Sequence, residues 1–442
     1  MIFLYKMTEK ELTQVALLHT SIVDDMSHYI DDMKNQGYKC HVLKTEKYSE
    51  KEKERVIKEC QDKNIKNVMA FDMEQLEMMG AVNEAICPFA PKRDVVNLIK
   101  NKYIQRSVEA NPEMWFKPVY LTEKNEDILK KPVEYPCMLK ATAFYLGYYV
   151  YKIENEEDLK NKIEELRKME DFASYCDEMD RIFKEFPENI KPKDYPPLLL
   201  EKRFDLTQIG QLSADCYMDE NNCVLLNCRD LVYSPNGLKI GIVWPPVEFD
   251  KEDARIINNF CTDLGKKLNK MGLRNHAFNY EIFYTKEKKA FLTEVNMLAN
   301  FNFVHVMELM SQENYLQLCF DVQLNKKIDL SRVPFENFMN GTLKKWCCQT
   351  TANIFHPGYT QDYIDFNYIK NLNSKTHRYS TFHGEGEFIP SERIGIAGHY
   401  CVDIWFTVDK EEDIWAHDKE IKTAVFKDPT DIDRFIYPTI SK

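Results

Sequence analysis

Alternating apolar and charged blocks along the first ninety positions predict strands and helices in turn. Four apolar residues at positions 2–5 predict a buried strand, and the apolar spacing from Glu9 to Gln36 predicts a long helix after it. Four further segments continue the pattern as strand, charged helix, strand and Met-rich helix: KCHVL, SEKEKERVIKECQDK, NVMAF and Met73 to Ile86. This alternation predicts a parallel sheet with helices on its faces.

A second unit follows the proline-containing segment CPFAPKR, which predicts a boundary. Leu159, Ile163, Leu166 and Met169 recur at helical spacing within a charged stretch, so they predict an amphipathic helix. The remaining elements of this unit are a helix and two strands, in the segments VVNLIKNKYIQRSVEA, YPCMLKA and GYYVYKI.

A third unit begins at the apolar strand PPLLLEKRF and continues through a hairpin over QLSADCYMDENNCVLLNCRD. Apolar residues from Ile257 to Met271 at helical spacing predict a helix, which Gly272 closes in the position that a C-terminal cap favours. Two strands, AFNYEIFY and FLTEVN, complete the unit. After about Leu330 the pattern becomes strand-rich again and predicts a smaller C-terminal module.

The length of 442 residues is too great for one ordinary core, and 44% hydrophobic residues with 29% charged residues are typical of a globular chain. The pattern therefore predicts an α/β and α+β protein of four parts. These are an N-terminal α/β domain over 1–90, two α+β subdomains over 91–200 and 201–330, and a strand-rich module over 331–442.

Charge and cysteine usage narrow the classes of function. The net charge of −12 argues against a nucleic-acid surface or an anionic membrane surface, because either partner favours a basic face. The 13 cysteines show no CxxC pair, which favours a reducing, cytoplasmic location over a disulfide scaffold. The longest apolar stretch is about half of what a membrane helix needs. A homodimer is the default expectation for such a chain.

The chemistry concentrates at the strands AFNYEIFY and FLTEVN. The charged loop TKEKKA between them predicts a hairpin, and its centre places Glu281 opposite Glu294 on one face, with Asn296 two residues further along that face. Opposed carboxylates are unfavourable, so the face is solvated, one carboxylate is protonated, or a cation lies between them. Two carboxylates and an amide oxygen suit Mg²⁺ better than zinc.

From about Asp94 to Asn300 the chain resembles the ATP-grasp superfamily, both in the order of its predicted elements and in its motifs. The two α+β subdomains of that superfamily hold ATP between them. The segment NKYIQR resembles the first phosphate-lysine segment and implies that role for Lys102. YPCMLKATAFYLG resembles the strand and phosphate loop that carry the second lysine, here Lys140. The carboxylates and amide of the family's metal site correspond to Glu281, Glu294 and Asn296.

The adenine hinge of the superfamily resembles LLLEKRFD, which implies contacts to the base from Glu201, Lys202, Arg203 and Phe204. A ribose-binding acid usually follows the hinge, and Gln208 stands near that place in this chain. The resemblance implies an ATP-grasp architecture with a Rossmann-like N-terminal domain. It also implies ATP and Mg²⁺ as cofactors, with Mn²⁺ as the alternative ion.

Two departures from the superfamily stand out. The phosphate loop is normally rich in glycine but retains only Gly147 here. We therefore expect the hydroxyl of Thr142 to contribute a contact to the phosphates instead. The family motif EINPR becomes EVNML, which puts Leu298 where an arginine steadies the acyl phosphate. Arg229 is the first candidate for the missing cation, and Arg274 is the second.

The resemblance implies an ATP-dependent ligase that joins a small carboxylic acid to an amine or amino acid through an acyl phosphate, releasing ADP and phosphate. The C-terminal part resembles that of amino-acid ligases of the superfamily. Two other classes of function remain open at this point. A catalytically weakened ATP-binding sensor or scaffold would explain the loss of the glycines and the arginine, and a small-molecule kinase would stop after phosphoryl transfer.

Overall fold

The computed structural model describes residues 12–19, 27–70, 72–130, 132–144, 149–204, 209–234, 239–247, 249–300, 303–372, 375–391, 394 and 398–437. The predicted strand at positions 2–5 lies outside these ranges. None of the helices within them combines the length and apolar character that a membrane crossing requires. All thirteen cysteines lie within them, and all are free thiols.

The N-terminal part is a parallel sheet in the order β2–β1–β3, as the alternating pattern predicts. The predicted helix from Glu9 to Gln36 is wrong, because Thr13–His19 forms the central strand. Four consecutive residues from Val15 to Leu18 are fully buried, and a central parallel strand needs such an unbroken apolar run. The elements are β1 Thr13–His19, α1 Ser27–Asp32, β2 Tyr38–Lys44, α2 Glu50–Asp62, β3 Val68–Ala70 and α3 Leu76–Ile86.

The next unit is an antiparallel sheet in the order β4–β7–β5–β6, accompanied by helices. The predicted helix over VVNLIKNKYIQRSVEA is two helices, because the Asn101 side chain accepts hydrogen bonds from the backbone N–H groups of Tyr103 and Ile104 and so starts a new helix. The elements are α4 Arg93–Ile99, α5 Lys102–Glu109, β4 Phe116–Val119, α6 Asn125–Leu129, β5 Cys137–Ala141, β6 Val150–Ile153, α7 Glu156–Leu166, α8 Glu170–Glu185 and β7 Leu198–Lys202.

A second, larger sheet begins with the predicted hairpins. Asp250 caps its long helix through a reciprocal pair of bonds with Asp253, and Gly272 follows the helix at φ 102°, as the sequence predicts for the helix end. The elements are β8 Ile209–Met218, β9 Cys223–Tyr233, β10 Lys239–Trp244, α9 Lys251–Lys270, β11 His276–Thr285 and β12 Ala290–Asn296.

The C-terminal strands continue that larger sheet, since β13 pairs with β10 and the order is β12–β11–β8–β9–β10–β13–β17–β15. The segment predicted as a separate strand-rich module over 331–442 therefore shares its sheet with the preceding unit. Its helices and short strands pack around a second core, which also includes Ile240 and Val243 of β10. The elements are α10 Phe303–Ser311, α11 Tyr315–Gln323, α12 Pro334–Met339, β13 Trp346–Ile354, β14 Gly358–Tyr359, α13 Thr360–Tyr363, α14 Phe366–Lys370, β15 His377–Thr381, β16 Phe388–Ile389, β17 His399–Val408 and α15 Ile414–Val425.

A buried ion cluster joins the four-stranded sheet to the eight-stranded one. Glu201 of β7 is 1% exposed and receives both Arg106 Nε at 2.7 Å and Lys140 Nζ at 2.5 Å. Arg106 also donates from Nη2 to the carbonyl oxygen of Thr293 in β12, at 2.6 Å. Burial raises the pKa of Glu201, but the charges of Arg106 and Lys140 outweigh it and lower the pKa to about 2.

We predict that Glu201→Gln lowers the free energy of unfolding at pH 7 by roughly 3–5 kcal/mol, because two buried cations lose their anion. The folded pKa of Glu201 lies below the ordinary value of 4.5, so its contribution is complete above about pH 4.5 and is lost as the pH falls toward 2. Urea unfolding between pH 7 and pH 3 measures both effects, and the variant should lose less stability than the wild type below pH 4.5.

Glu113→Gln is the matched control, since Glu113 pairs with Lys289 at the surface and both side chains are about half exposed. That substitution should change stability by less than about 1 kcal/mol. Equal stability of the two variants at pH 7 would contradict the structural role of Glu201.

Candidate active site

The hairpin of β11 and β12 brings two carboxylates face to face. Glu281 pairs with Glu294, and Asn279 pairs with Asn296, so the predicted cross-strand pairing is confirmed. Beyond Glu281 the register shifts, leaving Thr293 as the extra residue of a β-bulge. Asn296 donates from its side-chain nitrogen to Glu281 Oε1 at 3.2 Å. The two acids and the amide therefore share one small region of the sheet.

The hairpin belongs to a wider polar face on the eight-stranded sheet. Strand pairing places Ser213 of β8 beside Glu281 and Arg229 of β9 beside Ser213. Two residues along, Asp215 and Asn227 extend the row of Asn296 and Asn279 in the same way. We call these eight residues the polar face: Ser213, Asp215, Asn227, Arg229, Asn279, Glu281, Glu294 and Asn296.

Negative charges lie close together on the polar face and repel one another. Burial raises the pKa of Glu281, and the neighbouring charge of Glu294 raises it further, whereas Arg229 and Lys102 act in the opposite direction. Burial likewise raises the pKa of Asp215, whose Oδ1 accepts a hydrogen bond from Asn279 at 2.9 Å. Carboxyl groups with raised pKa values, held close together, are well suited to binding a cation.

Helix α5 lies along the free edge of β12 and holds it through side chains. Gln105 donates to the carbonyl oxygen of Val295 at 2.9 Å and accepts from its N–H at 2.8 Å, and Glu109 accepts from the N–H of Leu292 at 2.8 Å. These bonds, together with that of Arg106, replace the missing neighbour strand. The position of Glu294 is thereby fixed by the helix as well as by the sheet.

Lys102 is the first residue of α5 and is 5% exposed. Its Nζ lies 2.7 Å from Glu294 Oε1 and donates to the carbonyl oxygen of Phe144 at 2.6 Å. The structure thus brings this predicted phosphate-binding lysine to the carboxylate pair.

Lys140 and Thr142 lie in and just after β5, on the other sheet. Lys140 faces Glu201 within the ion cluster. The Thr142 hydroxyl is fully buried and donates to the carbonyl oxygen of Pro196 at 2.7 Å, and it accepts from Asn101 at 3.1 Å. It is therefore engaged within the protein rather than presented at the surface of the phosphate loop.

The hinge segment leaves β7 at Lys202 and crosses toward the larger sheet. Phe204 packs its ring against Phe283 and Phe291, with ring centroids 5.2 and 4.9 Å apart. Lys202 donates to the carbonyl oxygen of Glu113 at 3.0 Å, and Arg203 lies 4.0 Å from Glu154. The Glu201 side chain is committed to the ion cluster, so it points away from the hinge surface. Gln208 lies outside the described residues.

The two candidate arginines lie in different places. Arg229 lies on the polar face, roughly 10 Å from Glu281 between α-carbons, at two strand spacings. Arg274 is exposed and precedes β11, whose first residue, His276, is itself roughly 17 Å along the strand from Glu281. The structure therefore brings Arg229, and not Arg274, toward the carboxylate pair. Leu298 is half-buried and packs against the main core.

The oxygen donors at the carboxylate pair match those that Mg²⁺ prefers. No group of three or more His, Cys, Asp or Glu side chains in the described part of the chain is arranged as a metal site. Glu281, Glu294 and the amide oxygen of Asn296 supply three oxygen donors, and Mg²⁺ commonly completes such a set with water and phosphate oxygens. The residues present fit a magnesium ion that is bound together with a nucleotide.

Several site residues were missed by the sequence analysis. Ser213, Asp215 and Asn227 alternate with buried apolar residues in β8 and β9, and that alternation signals a polar face next to the hairpin. Gln105 and Arg106 follow Lys102 by one helical turn, so the sequence shows a polar stripe on α5. The sequence does not show that this stripe is buried against β12.

Comparison of the sequence with known proteins finds no relative. No protein-family model matches the chain, and no curated protein matches it. Solved structures do match over nearly the whole length. The L-amino acid ligase from Bacillus licheniformis superposes with a TM-score of 0.70 at 14% identity, covering 97% of this chain and 100% of the other.

Two further solved structures agree with that match. N5-carboxyaminoimidazole synthase from Aspergillus clavatus, in complex with ADP and 5-aminoimidazole ribonucleotide, gives a TM-score of 0.66 at 13% identity, covering 96% and 100% of the two chains. The biotin carboxylase domain of 2-oxoglutarate carboxylase from Hydrogenobacter thermophilus, a dimer with MgADP, ADP and bicarbonate, gives 0.64 at 13% identity, covering 95% of each. The architecture is thus the one that the sequence resemblance implied: the chain has the ATP-grasp fold.

Proposed function

We propose that this protein is an ATP-dependent carboxylate–amine ligase. It would form an amide or peptide-like bond through an acyl phosphate and release ADP and phosphate. One observation carries the proposal. In an ATP-grasp fold, Glu281 faces Glu294 beside Asn296, and Lys102 lies 2.7 Å from Glu294. Binding of a metal-bound polyphosphate explains this set of carboxylates and cations better than exposure of the strand face to solvent does.

The proposed nucleotide site uses both sheets. Lys102 would place a positive charge beside the phosphates at the carboxylate pair, and Lys140 would do the same from β5. The backbone of the hinge from Glu201 to Phe204 would meet the adenine, with Phe204 held in place by Phe283 and Phe291. The ribose contact expected from Gln208 is part of the same proposal.

The metal would be held by Glu281, Glu294 and Asn296. Mg²⁺ would offset the phosphate charges and orient the γ-phosphoryl group. The chain's own contribution is to hold the two carboxylates in register. It does so through the β11–β12 pairing and through the side chains of Gln105 and Arg106 on the edge of β12.

The chemistry runs in two steps. A substrate carboxylate oxygen bonds to the γ-phosphorus, the bond from that phosphorus to the β–γ bridging oxygen breaks, and ADP leaves. The nitrogen of the amine then bonds to the acyl carbon, the carbon–oxygen bond to phosphate breaks, and the proton of the amine passes to the departing phosphate or to water. Arg229 is the group on the polar face that would stabilise the negative oxygens of the acyl phosphate, in place of an arginine at Leu298.

The similar structures support the choice of substrate class. One is a ligase named for amino acids, one was solved with ADP and an amine-bearing ribonucleotide, and one was solved with MgADP and bicarbonate. A small carboxylic acid and an amine or amino acid are therefore the proposed substrates. A homodimer is proposed on the weaker ground of the dimeric neighbour.

We predict that Glu281→Gln and Glu294→Gln each abolish turnover, because either change removes an anionic ligand of the metal. The assay measures ADP released from MgATP in the presence of a panel of acids and amines, and circular dichroism verifies the fold. Glu287→Gln is the matched control, since Glu287 is exposed in the turn of the same hairpin. It should retain full activity.

The same assay separates the other classes of function. Release of ADP that requires both an acid and an amine supports the ligase. Release with a single hydroxyl-bearing compound supports a kinase. Nucleotide binding with no turnover in the wild-type protein supports a scaffold. Near-normal turnover in both glutamine variants would overturn the site itself.

We predict that Arg229→Met lowers kcat by about 100-fold or more, as expected when a charge-stabilising donor is removed from an acyl-transfer site. Arg274→Met should leave kcat within about twofold of the wild-type value, because Arg274 is exposed before the distant end of β11. Steady-state ADP release with saturating substrates measures both variants. Comparable losses of kcat in the two variants would show that Arg229 is not the specific replacement for the arginine that is missing at Leu298.

A further inference from the structure

A cavity of about 220 Å³ is lined by both the N-terminal domain and the unit that carries the phosphate loop. The segments that follow β2 and β3 contribute Lys47, Tyr48 and Met73, and the phosphate loop contributes Phe144. Ligands of open α/β sheets bind beyond the carboxyl ends of the strands, where the strand order reverses. In this sheet β2 and β3 lie on opposite sides of β1, so the cavity lies where the fold of the N-terminal domain favours a ligand.

Lys100 follows the last residue of α4, and its side chain lines this cavity. Its Nζ makes no hydrogen bond and no ion pair with the residues that the structure describes. Burial lowers the pKa of Lys100, whereas the charges of Glu77 and Glu178 raise it. The charges of Arg181 and Arg93 act with burial and lower it. A cation that is withdrawn from water and has no direct partner favours an anionic ligand.

The two carboxylates that act on this lysine are engaged with other cations. Glu77 accepts hydrogen bonds from Arg93 Nε at 2.9 Å and from Arg181 Nη2 at 3.0 Å. Glu178 accepts a hydrogen bond from Lys47 Nζ at 2.6 Å. Both carboxylates are therefore held by partners that lie beside the cavity, and neither bonds to the lysine inside it.

The charges around the cavity leave one cation over. Glu185 pairs with both of the arginines that hold Glu77, so these two carboxylates and two arginines carry no net charge. Glu74, the remaining carboxylate of the lining, is exposed, so water screens its charge. Lys100 is left as the cation that a single carboxylate would neutralise. A phosphate dianion would bring a second negative charge without a partner.

Much of the remaining lining is apolar. Met73, Phe144 and Met179 contribute thioether and aromatic surface, which adapts well to an aliphatic ligand. The ring of Tyr48 is fixed by Arg93, whose guanidinium lies 4.3 Å from the ring centroid. The cavity is smaller than the pockets of roughly 300–1,000 Å³ that hold drug-sized ligands, so it suits a small molecule.

We propose that this cavity binds a small aliphatic monocarboxylic acid, with its carboxylate bonded to Lys100 and its apolar body against Met73, Phe144 and Met179. The site goes beyond the proposed ligase reaction, because its lining residues are distinct from those assigned to the nucleotide and the metal. Phe144 connects the two places, since its carbonyl oxygen accepts a hydrogen bond from Lys102 at 2.6 Å. The acid is a substrate or an effector that acts through the phosphate loop, and kinetics distinguish these two sources.

Direct binding tests the inference without ATP. The full chain is titrated with 4-methylpentanoate and, separately, with 4-methylpentanamide, and the heat of binding is measured. The acid should bind about tenfold or more tightly than the amide, because only the acid accepts a charge-assisted hydrogen bond. Lys100→Met should lose this preference, and Lys100→Arg should keep it. Lys266→Met, at an exposed position of α9, should bind both compounds like the wild type.

A second variant tests the cavity itself without a change of charge. Met73→Trp should fill the space and weaken binding of the acid by about tenfold or more, because a larger side chain occupies the place of the ligand. Circular dichroism verifies the fold of each variant. This variant keeps the inference testable where Lys100→Met does not fold. Inorganic phosphate at the concentration of the acid should not displace it.

Three results would overturn the inference. They are equal binding of the acid and the amide, no binding of the acid by the wild-type protein, and unchanged binding in folded Lys100→Met or Met73→Trp variants. Displacement of the acid by phosphate would contradict the assignment to a monocarboxylate. Failure of the ligase reaction, with no ADP released from any acid and amine, would leave the binding result standing because the titration contains no nucleotide.

The ADP-release assay then identifies the source of the acid. A substrate is consumed in step with ADP, and Lys100→Met should raise its KM by about tenfold or more while KM for ATP stays within about twofold. An effector changes kcat or KM for ATP without being consumed, and Lys100→Met should abolish that change. An acid that is consumed or acts equally well in the folded Lys100→Met variant would contradict the site.

Discussion

The edge of strand β12 is the constraint on which the candidate site depends. An edge strand exposes unpaired N–H and C=O groups, and this one also carries Glu294. Helix α5 meets the edge with residues at positions 102, 105, 106 and 109, which share one face of the helix. They bind Glu294 and the backbone of Leu292, Thr293 and Val295. The helix therefore supplies hydrogen bonds that a ninth strand would otherwise make.

This arrangement links the site to the second sheet through charge. Arg106 bonds to the bulge at Thr293 and also to Glu201, which in turn receives Lys140. A shift of the four-stranded sheet would move Arg106, and with it the edge that positions Glu294. The carboxylate pair and the proposed phosphate-binding lysines thus belong to one connected network, with Glu201 at its buried centre.

Local patterns predicted much of this fold, and long-range pairing explains most of what they missed. The register of Glu281 and Glu294 was predictable because a short charged loop between two alternating strands defines it. The helix predicted over Thr13–His19 failed because a fully buried strand and a buried helix have the same apolar run. The pairing of β10 with β13 joins residues about a hundred positions apart, and no local pattern encodes it.

The loss of the family arginine at Leu298 has a physical counterpart elsewhere on the sheet. Met297 and Ala299, on either side of it, are buried in the main core, so a charged side chain that turned inward at this end of β12 would lie in apolar surroundings. Arg229 is the cation that we propose in its place; it lies on β9, in line with Glu281 and across Ser213. The proposed positive charge at the acyl phosphate is thereby displaced along the sheet, from the end of β12 to β9.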